Sequence, residues 1–176
     1  MSAISIRPYD PADAPALHEA ALESAREVYP WLPWCHPGYT LEEARSWIAS
    51  QVVERERGSA YEFAVFDETG RFLGGCGLNG INGVHRFANL GYWIRSSAAG
   101  RGLTDQAVRA LATWAFAGTD LERLEIVTAV GNTRSQRVAE KAGARREGIL
   151  RARLLVHGHP HDAVMYSIVR ADRTPA

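Results

Sequence analysis

Cysteine is scarce in this sequence: only Cys35 and Cys76 occur, and they are not spaced as Cys-x-x-Cys. A disulfide scaffold or a zinc-binding framework is therefore not expected. Lysine is scarcer still, with Lys141 alone beside nineteen arginines, a compositional bias from which no function follows. No apolar run approaches membrane-spanning length, and the start MSAISIRPYD lacks the basic end and apolar stretch of a secretory signal, so the expected location is the cytoplasm, with no membrane partner. There is no net charge and no dense basic run, which argues against nucleic acid as a partner. Repeats, linkers and low-complexity tracts are missing too. At 176 residues, with 46% hydrophobic and 23% charged residues, the chain reads as one soluble domain spanning 1–176.

The zero balance hides an asymmetry. Residues 1–70 carry five arginines against twelve acids, whereas residues 71–176 carry fifteen basic residues against eight acids. One half suits a cation and the other an anion.

Local patterns give the order of elements. A strand at 3–9 precedes a helix from Pro11 to Val28, with Asp10 as N-cap and Pro11 at the first helical position. Thr40 and Glu43 have capping-box spacing before a helix from Leu41 to Arg57. Three strands follow, at 61–66, 71–81 and 87–94, the first two joined by a tight turn. Next come a helix from Gly102 to Phe116, a strand at 123–130, a helix from Thr133 to Ala142 that ends at Gly143, and two strands joined by a turn at His157–Pro160. The helix between the fourth and fifth strands is long enough for a crossover, so those strands should run parallel. The expected fold is α/β, a mixed, mostly antiparallel seven-stranded sheet flanked by helices.

The stretch RSSAAGRGLTDQAV places Gly100 and Gly102 between the fourth strand and a helix. Such a turn leaves backbone N–H groups free to face an anion. It is not a dinucleotide fingerprint, because it follows the fourth strand and Asp105 occupies the third glycine position, and no Lys-Ser or Lys-Thr pair makes it a Walker loop.

The strand NLGYWI, the glycine turn, the strand LEIVTAV, the segment GNTRSQRVAEKAG with its following EG and LR, and the early WLPW and TLEEARSWI together resemble the GNAT superfamily of acyl-CoA-dependent N-acetyltransferases. The nearer resemblance is to its RimJ/RimL-type branch, which acetylates ribosomal protein N-termini. It implies a GNAT fold whose fourth and fifth strands splay to admit the pantetheine arm of acetyl-CoA. Tyr92, Trp93, Ile94 and Arg95 would then flank that arm and the acetyl group, while Gly100, Arg101, Gly102 and Thr104 would face the pyrophosphate. The family commonly has Arg or Gln three residues before the first glycine, where this chain has Ser97. By the same resemblance Asn132 bonds the pantetheine amide, and Ser135 donates to the departing sulfur as the catalytic hydroxyl. Each is also a good N-cap for the short helix.

The base is not evident. Relatives carry a carboxylate where this chain has Asn89 or Leu154. Glu147, Glu19, Glu23 and His36 are the available substitutes. A site without a strong base suits an α-amine, with a pKa of about 7.7–8, better than a lysine near 10.4. The acidic first half would attract a cationic substrate, such as the N-terminus of a basic ribosomal protein, against a wall of Trp31, Trp34 and Trp47, with helix packing as the alternative, better suited to Trp47 than to the other two. No cysteine is placed for a covalent acetyl-enzyme, so transfer is expected by direct attack in a ternary complex.

His157, His159 and His161 alternate, but Gly158 and Pro160 put them at a hairpin tip, and no metal is expected there. Two other readings remain open: a small-molecule N-acetyltransferase acting on a polyamine, amino acid or aminoglycoside, and a CoA-binding sensor without catalysis. Monomer and homodimer are both compatible with the sequence.

Overall fold

Alternation along one strand organises the molecule. The computed structural model describes residues 4–173. In β2 (Tyr61–Asp67) Phe63 and Val65 join one hydrophobic core, while Ala64 and Phe66 pack into a second on the opposite face of the sheet. The first core is closed by α3 (Leu103–Gly118) and α4 (Thr133–Lys141), and the second by α1 (Ala14–Val28) and α2 (Leu41–Arg57). Strands buried on both faces need apolar residues at nearly every position, and β3 (Phe72–Asn82) meets that need with seven successive buried residues, four of them glycine or cysteine.

The remaining strands are β1 (Ile4–Pro8), β4 (Phe87–Ile94), β5 (Arg123–Ala129), β6 (Arg145–Val156) and β7 (His159–Val169). They form one seven-stranded sheet in the order β1-β2-β3-β4-β5-β7-β6. Every pairing is antiparallel except β4 with β5, whose parallel register covers only Phe87 with Arg123, Ala88 with Leu124 and Asn89 with Glu125. Beyond those pairs β4 stays with β3, and β5 stays with β7. The sheet opens there as a V, as the resemblance implied.

The helix boundaries follow from the expected caps, with one difference. Asp10 and Asp13 form a capping box, but on a short 3-10 turn at Pro11–Asp13, and α1 proper starts at Ala14. Pro15 in the first turn of α1 has no N–H to continue a ladder from residue 11, so the helix restarts there. Thr40 and Glu43 cap α2 reciprocally, and Gly58 closes it at φ 68°. The β6–β7 turn is only His157 and Gly158, so His159 and Pro160 lie inside β7.

A buried arginine paired with two carboxylates nearer the surface ties α1 to the end of β4. Arg95, 4% exposed, donates to Glu19 at 2.7 Å, to Glu23, and to the Phe72 carbonyl at 3.2 Å. Three further bonds join α1 to the segment after β4: Ser96 N–H to Ser24 Oγ at 3.0 Å, Ser96 Oγ to Glu27 at 2.8 Å, and Ser97 N–H to Glu23 at 2.8 Å. The Arg95 guanidinium, with help from the Ser97 amide, lowers the Glu23 pKa to about 2 despite partial desolvation.

Two stability outcomes follow. Thr40→Ala removes a cap and should cost about 1 kcal/mol, read as a fall in Tm of roughly 2–4 °C. Glu23 has a folded pKa below its unfolded value, so its contribution is present above about pH 4.3 and disappears as pH falls towards about 2. Thermal unfolding across that window should therefore be less pH-dependent in Glu23→Gln than in the wild type.

Candidate active site

The V between β4 and β5 is the mouth of a cleft of about 890 Å³. Past Asn89 the β5-facing backbone groups of β4 have no partner strand, which suits an extended ligand arm that supplies one. Tyr92, Trp93 and Ile94 line this cleft. At its outer end lie Gly100 and Gly102, at φ 78° and 71°, with Gly102 as the N-cap of α3, and Thr104 beside them. These positive φ values are ones that a non-glycine residue adopts only at a cost. A Cβ added at Gly100 would meet nothing within 4 Å, so the turn faces open space.

The two arginines of this region are placed differently from the expectation. Arg95 is absent from the cleft lining because its guanidinium is committed to Glu19 and Glu23 on α1. Arg101 is exposed and also lies outside the lining. The cationic side chains that do border the cleft are Arg134, Arg137, Lys141 and Arg153.

Asn132 and Ser135 come together with Tyr92. Asn132 caps α4, its side chain accepting from the Ser135 N–H at 3.2 Å. The Tyr92 hydroxyl donates to the Ser135 carbonyl at 2.8 Å and lies 3.0 Å from Ser135 Oγ. Either oxygen can be the donor in the hydroxyl–hydroxyl contact. Burial pushes the Tyr92 phenol up to about 12, so the pair is fully protonated at neutral pH.

A second pocket, of about 610 Å³, lies on the other face of β4, against α1 and α2. Trp34 enters it, edge-on to Trp93 with ring centroids 5.2 Å apart. Trp31 does not: it lines the first cleft and packs against Gly131. Trp47 packs edge-on against Tyr9 at 4.9 Å and borders this second pocket.

The floor of the second pocket holds a residue that the sequence reading missed. Glu62 of β2 pairs in register with Gly77 of β3, and Gly77 with Gly91 of β4. A Cβ at Gly77 would overlap the Glu62 carboxylate, so that carboxylate lies directly over Gly77. Burial raises its pKa to about 7, opposed by a hydrogen bond from Asn79. The Tyr9 hydroxyl and the Trp93 indole N–H crowd over Gly75 in the same way, and the Tyr9 hydroxyl is buried without a hydrogen-bond partner among the described residues. The available signal was the pair of glycines two apart in GGCG, which empties one face of a strand beside the glutamate of YEF.

The other candidate bases have different occupations. Glu147 is held by Arg123 at 2.8 Å and by Ser167 at 2.7 Å, which lowers its pKa to about 2. Glu19 and Glu23 belong to Arg95. His36 lies 2.9 Å from Glu43 at the rim of the second pocket. Asn89 donates to Asn79 at 3.0 Å, and Leu154 is an apolar part of the first cleft. His157 accepts or donates no bond within a histidine cluster; its ring sits 4.4 Å from Tyr29 and bonds the Tyr29 carbonyl at 2.8 Å. No group of three or more His, Cys, Asp or Glu side chains suited to a metal is found among the described residues.

Residues 4–145 match the family described as the acetyltransferase (GNAT) domain. YdaF of Bacillus subtilis is 31% identical over 96% of this chain and 92% of its own length. The ribosomal-protein-serine acetyltransferase of Escherichia coli is 29% identical over 77% of this chain and 75% of its own. Among solved structures, RimL, a ribosomal α-N-protein acetyltransferase in complex with coenzyme A, superposes with a TM-score of 0.86 at 28% identity, covering 94% of this chain and 93% of that one. RimJ of Mycobacterium smegmatis, with a CoA disulfide, gives 0.90 at 25% identity, covering 98% and 85%. The split sheet, the glycine turn at the head of α3 and this extent of similarity lead to one conclusion: the chain belongs to the GNAT family and is an acyl-CoA-dependent N-acetyltransferase.

Proposed function

We propose that the chain acetylates the α-amine of a protein or peptide N-terminus, a basic ribosomal protein being the fitting class, by direct attack on acetyl-CoA in a ternary complex. One observation carries the reading: Asn89, Gly91, Tyr92 and Trp93 line both clefts, so two ligands that enter from opposite faces of the sheet meet at β4. The first cleft has the features a CoA arm needs, with unpaired β4 backbone, the Gly100–Gly102 turn for the pyrophosphate and four cationic side chains at its border. Asn132 stands beside that arm. Arg95 supports the site indirectly, through the turn that it anchors to α1.

The second pocket suits a cation with an apolar neighbour. Glu43 and Glu62 supply carboxylates, and Trp34, Trp47 and Trp93 supply aromatic walls. With Glu19 and Glu23 neutralising Arg95, these two are the acidic residues of the first half that face this pocket. The names of the E. coli relative and of RimL, which describe ribosomal proteins as substrates, support the same class.

Direct attack is favoured by the state of the thiols. Cys35 and Cys76 are both buried, and burial raises the Cys35 thiol to about 11 and Cys76 further upward, so neither offers a thiolate at neutral pH to carry acetyl. The amine attacks the thioester carbonyl, the C–S bond breaks, and the Ser135–Tyr92 hydroxyl pair lowers the cost of the departing thiolate.

Thiol release from acetyl-CoA should depend on peptides with free N-termini and disappear when those N-termini are blocked, with polyamines and amino acids as slower acceptors. Release with small amines alone would refute the α-amine reading. Ser135→Ala should lower kcat by roughly 100-fold with little change in the KM for acetyl-CoA, the effect expected for loss of one positioned donor.

A further inference from the structure

We infer that Glu62 is the carboxylate that binds the incoming ammonium group and takes its proton. The inference rests on the second pocket being the acceptor site, as proposed above, but not on the acceptor being an α-amine.

The register of three strands places the residue. Glu62, Gly77 and Gly91 form one row across β2, β3 and β4 on the face toward α1 and α2. Neither glycine presents a side chain, so the row is a trough that runs from the carboxylate to the strand bordering both clefts. A Cβ at Gly91 would meet nothing within 4 Å, so the trough is open at its β4 end. That end is also where the β4–β5 pairing stops, at Asn89. An amine lying in the trough has a carboxylate on one side and the V of the sheet on the other.

The groups around Glu62 fit a carboxylate kept for a ligand. No basic side chain forms an ion pair with it among the described residues; Arg55 of α2 reaches its backbone carbonyl at 3.5 Å instead. From β3, Asn79 donates to the carboxylate while accepting from Asn89, and Cys76 is a neutral thiol beside it. From the chain before α1, Tyr9 brings its unpartnered hydroxyl. Across the pocket, Glu43 is paired with His36. An ammonium group would satisfy the carboxylate, and a peptide's first carbonyl would satisfy the Tyr9 hydroxyl.

The proton balance is complete with these groups. An ammonium substrate carries three N–H bonds, and the amide product keeps one. Glu62 accepts the first proton before attack and passes it to water after release. The second passes from nitrogen to the Ser135–Tyr92 hydroxyl pair as the tetrahedral intermediate collapses, and replaces the proton that this pair delivers to the departing sulfur, so both hydroxyls are regenerated. A carboxylate poised near 7 is about one unit below an α-ammonium and more than three below a lysine, so transfer from the α-amine is the cheaper of the two.

The test measures acetyl transfer by the full chain across the neutral pH range, with whichever amine in the panel reacts fastest. Glu62→Gln should lower kcat/KM by about 100-fold or more and abolish the acid limb of the profile, with CoA affinity by calorimetry unchanged. A purely structural role predicts the opposite pattern, a loss of stability. Because the folded pKa is raised, the ionised carboxylate weakens the fold as pH rises above its unfolded value, so Glu62→Gln should unfold at or above the wild-type temperature at pH 8. Gly77→Ala keeps the carboxylate but displaces it, and should lose activity while remaining folded. Should Glu62→Gln fail to fold, Gly77→Ala and the carboxyl titration by NMR, which needs no acceptor, decide the matter. A Glu62→Gln rate within about threefold of wild type with the acid limb intact, or a Glu62 carboxyl titrating at an ordinary value of about 4.3, would overturn the inference. A preference for polyamines with the Glu62→Gln defect intact would remove the α-amine reading alone.

Discussion

Everything in the site depends on a strand pairing that stops early. A parallel pair requires a crossover, and α3 provides it between β4 and β5. The helix must begin where β4 ends, so its N-terminal turn lies at the mouth of the V. The short helix α4 must begin where β5 ends, so Asn132 and Ser135 reach the same opening from the other side. Three paired residues hold the strands together at the base, and the free remainder of each strand faces the gap. Had the pairing run the full length of β4, the backbone of Tyr92 to Ile94 would be spent on β5, and there would be no place for an extended arm.

The second pocket is built by subtraction. Gly75 leaves room for a phenol and an indole, and Gly77 leaves room for a carboxylate, on a strand whose neighbouring positions Phe72, Leu73, Cys76 and Leu78 are buried and apolar. The cost is a half-buried acid without a cation and a buried hydroxyl without a partner among the described residues, both of which a well-packed core would avoid. Such departures from local consistency gather at functional positions.

Much of this was legible in the sequence. The helix limits followed from caps: the predicted Thr40–Glu43 capping box formed, and Asp10 caps as expected, although on a 3-10 turn because Pro15 interrupts the ladder. The parallel pair followed from the length of the crossover. The residues around the first cleft could be read because they form contiguous motifs at the ends of β4 and β5. Side-chain destinations over long distances could not be read in this way. Arg95 lies next to the glycine turn in sequence, but its partners are over seventy residues earlier, on α1. Trp31 and Trp34 are three apart yet border different clefts. Glu62 becomes conspicuous only when three strands are laid in register, which no single segment reveals.

The Arg95 clamp gives α1 a mechanical part. The helix that walls the second pocket through Leu17 is the same one that braces the segment leading into the glycine turn, through Glu19, Glu23, Ser24 and Glu27. It is a strut shared by the second pocket and the glycine turn, so a displacement of α1 at one is felt at the other. Free-energy reciprocity then makes the coupling mutual, each ligand altering the other's affinity by the same factor.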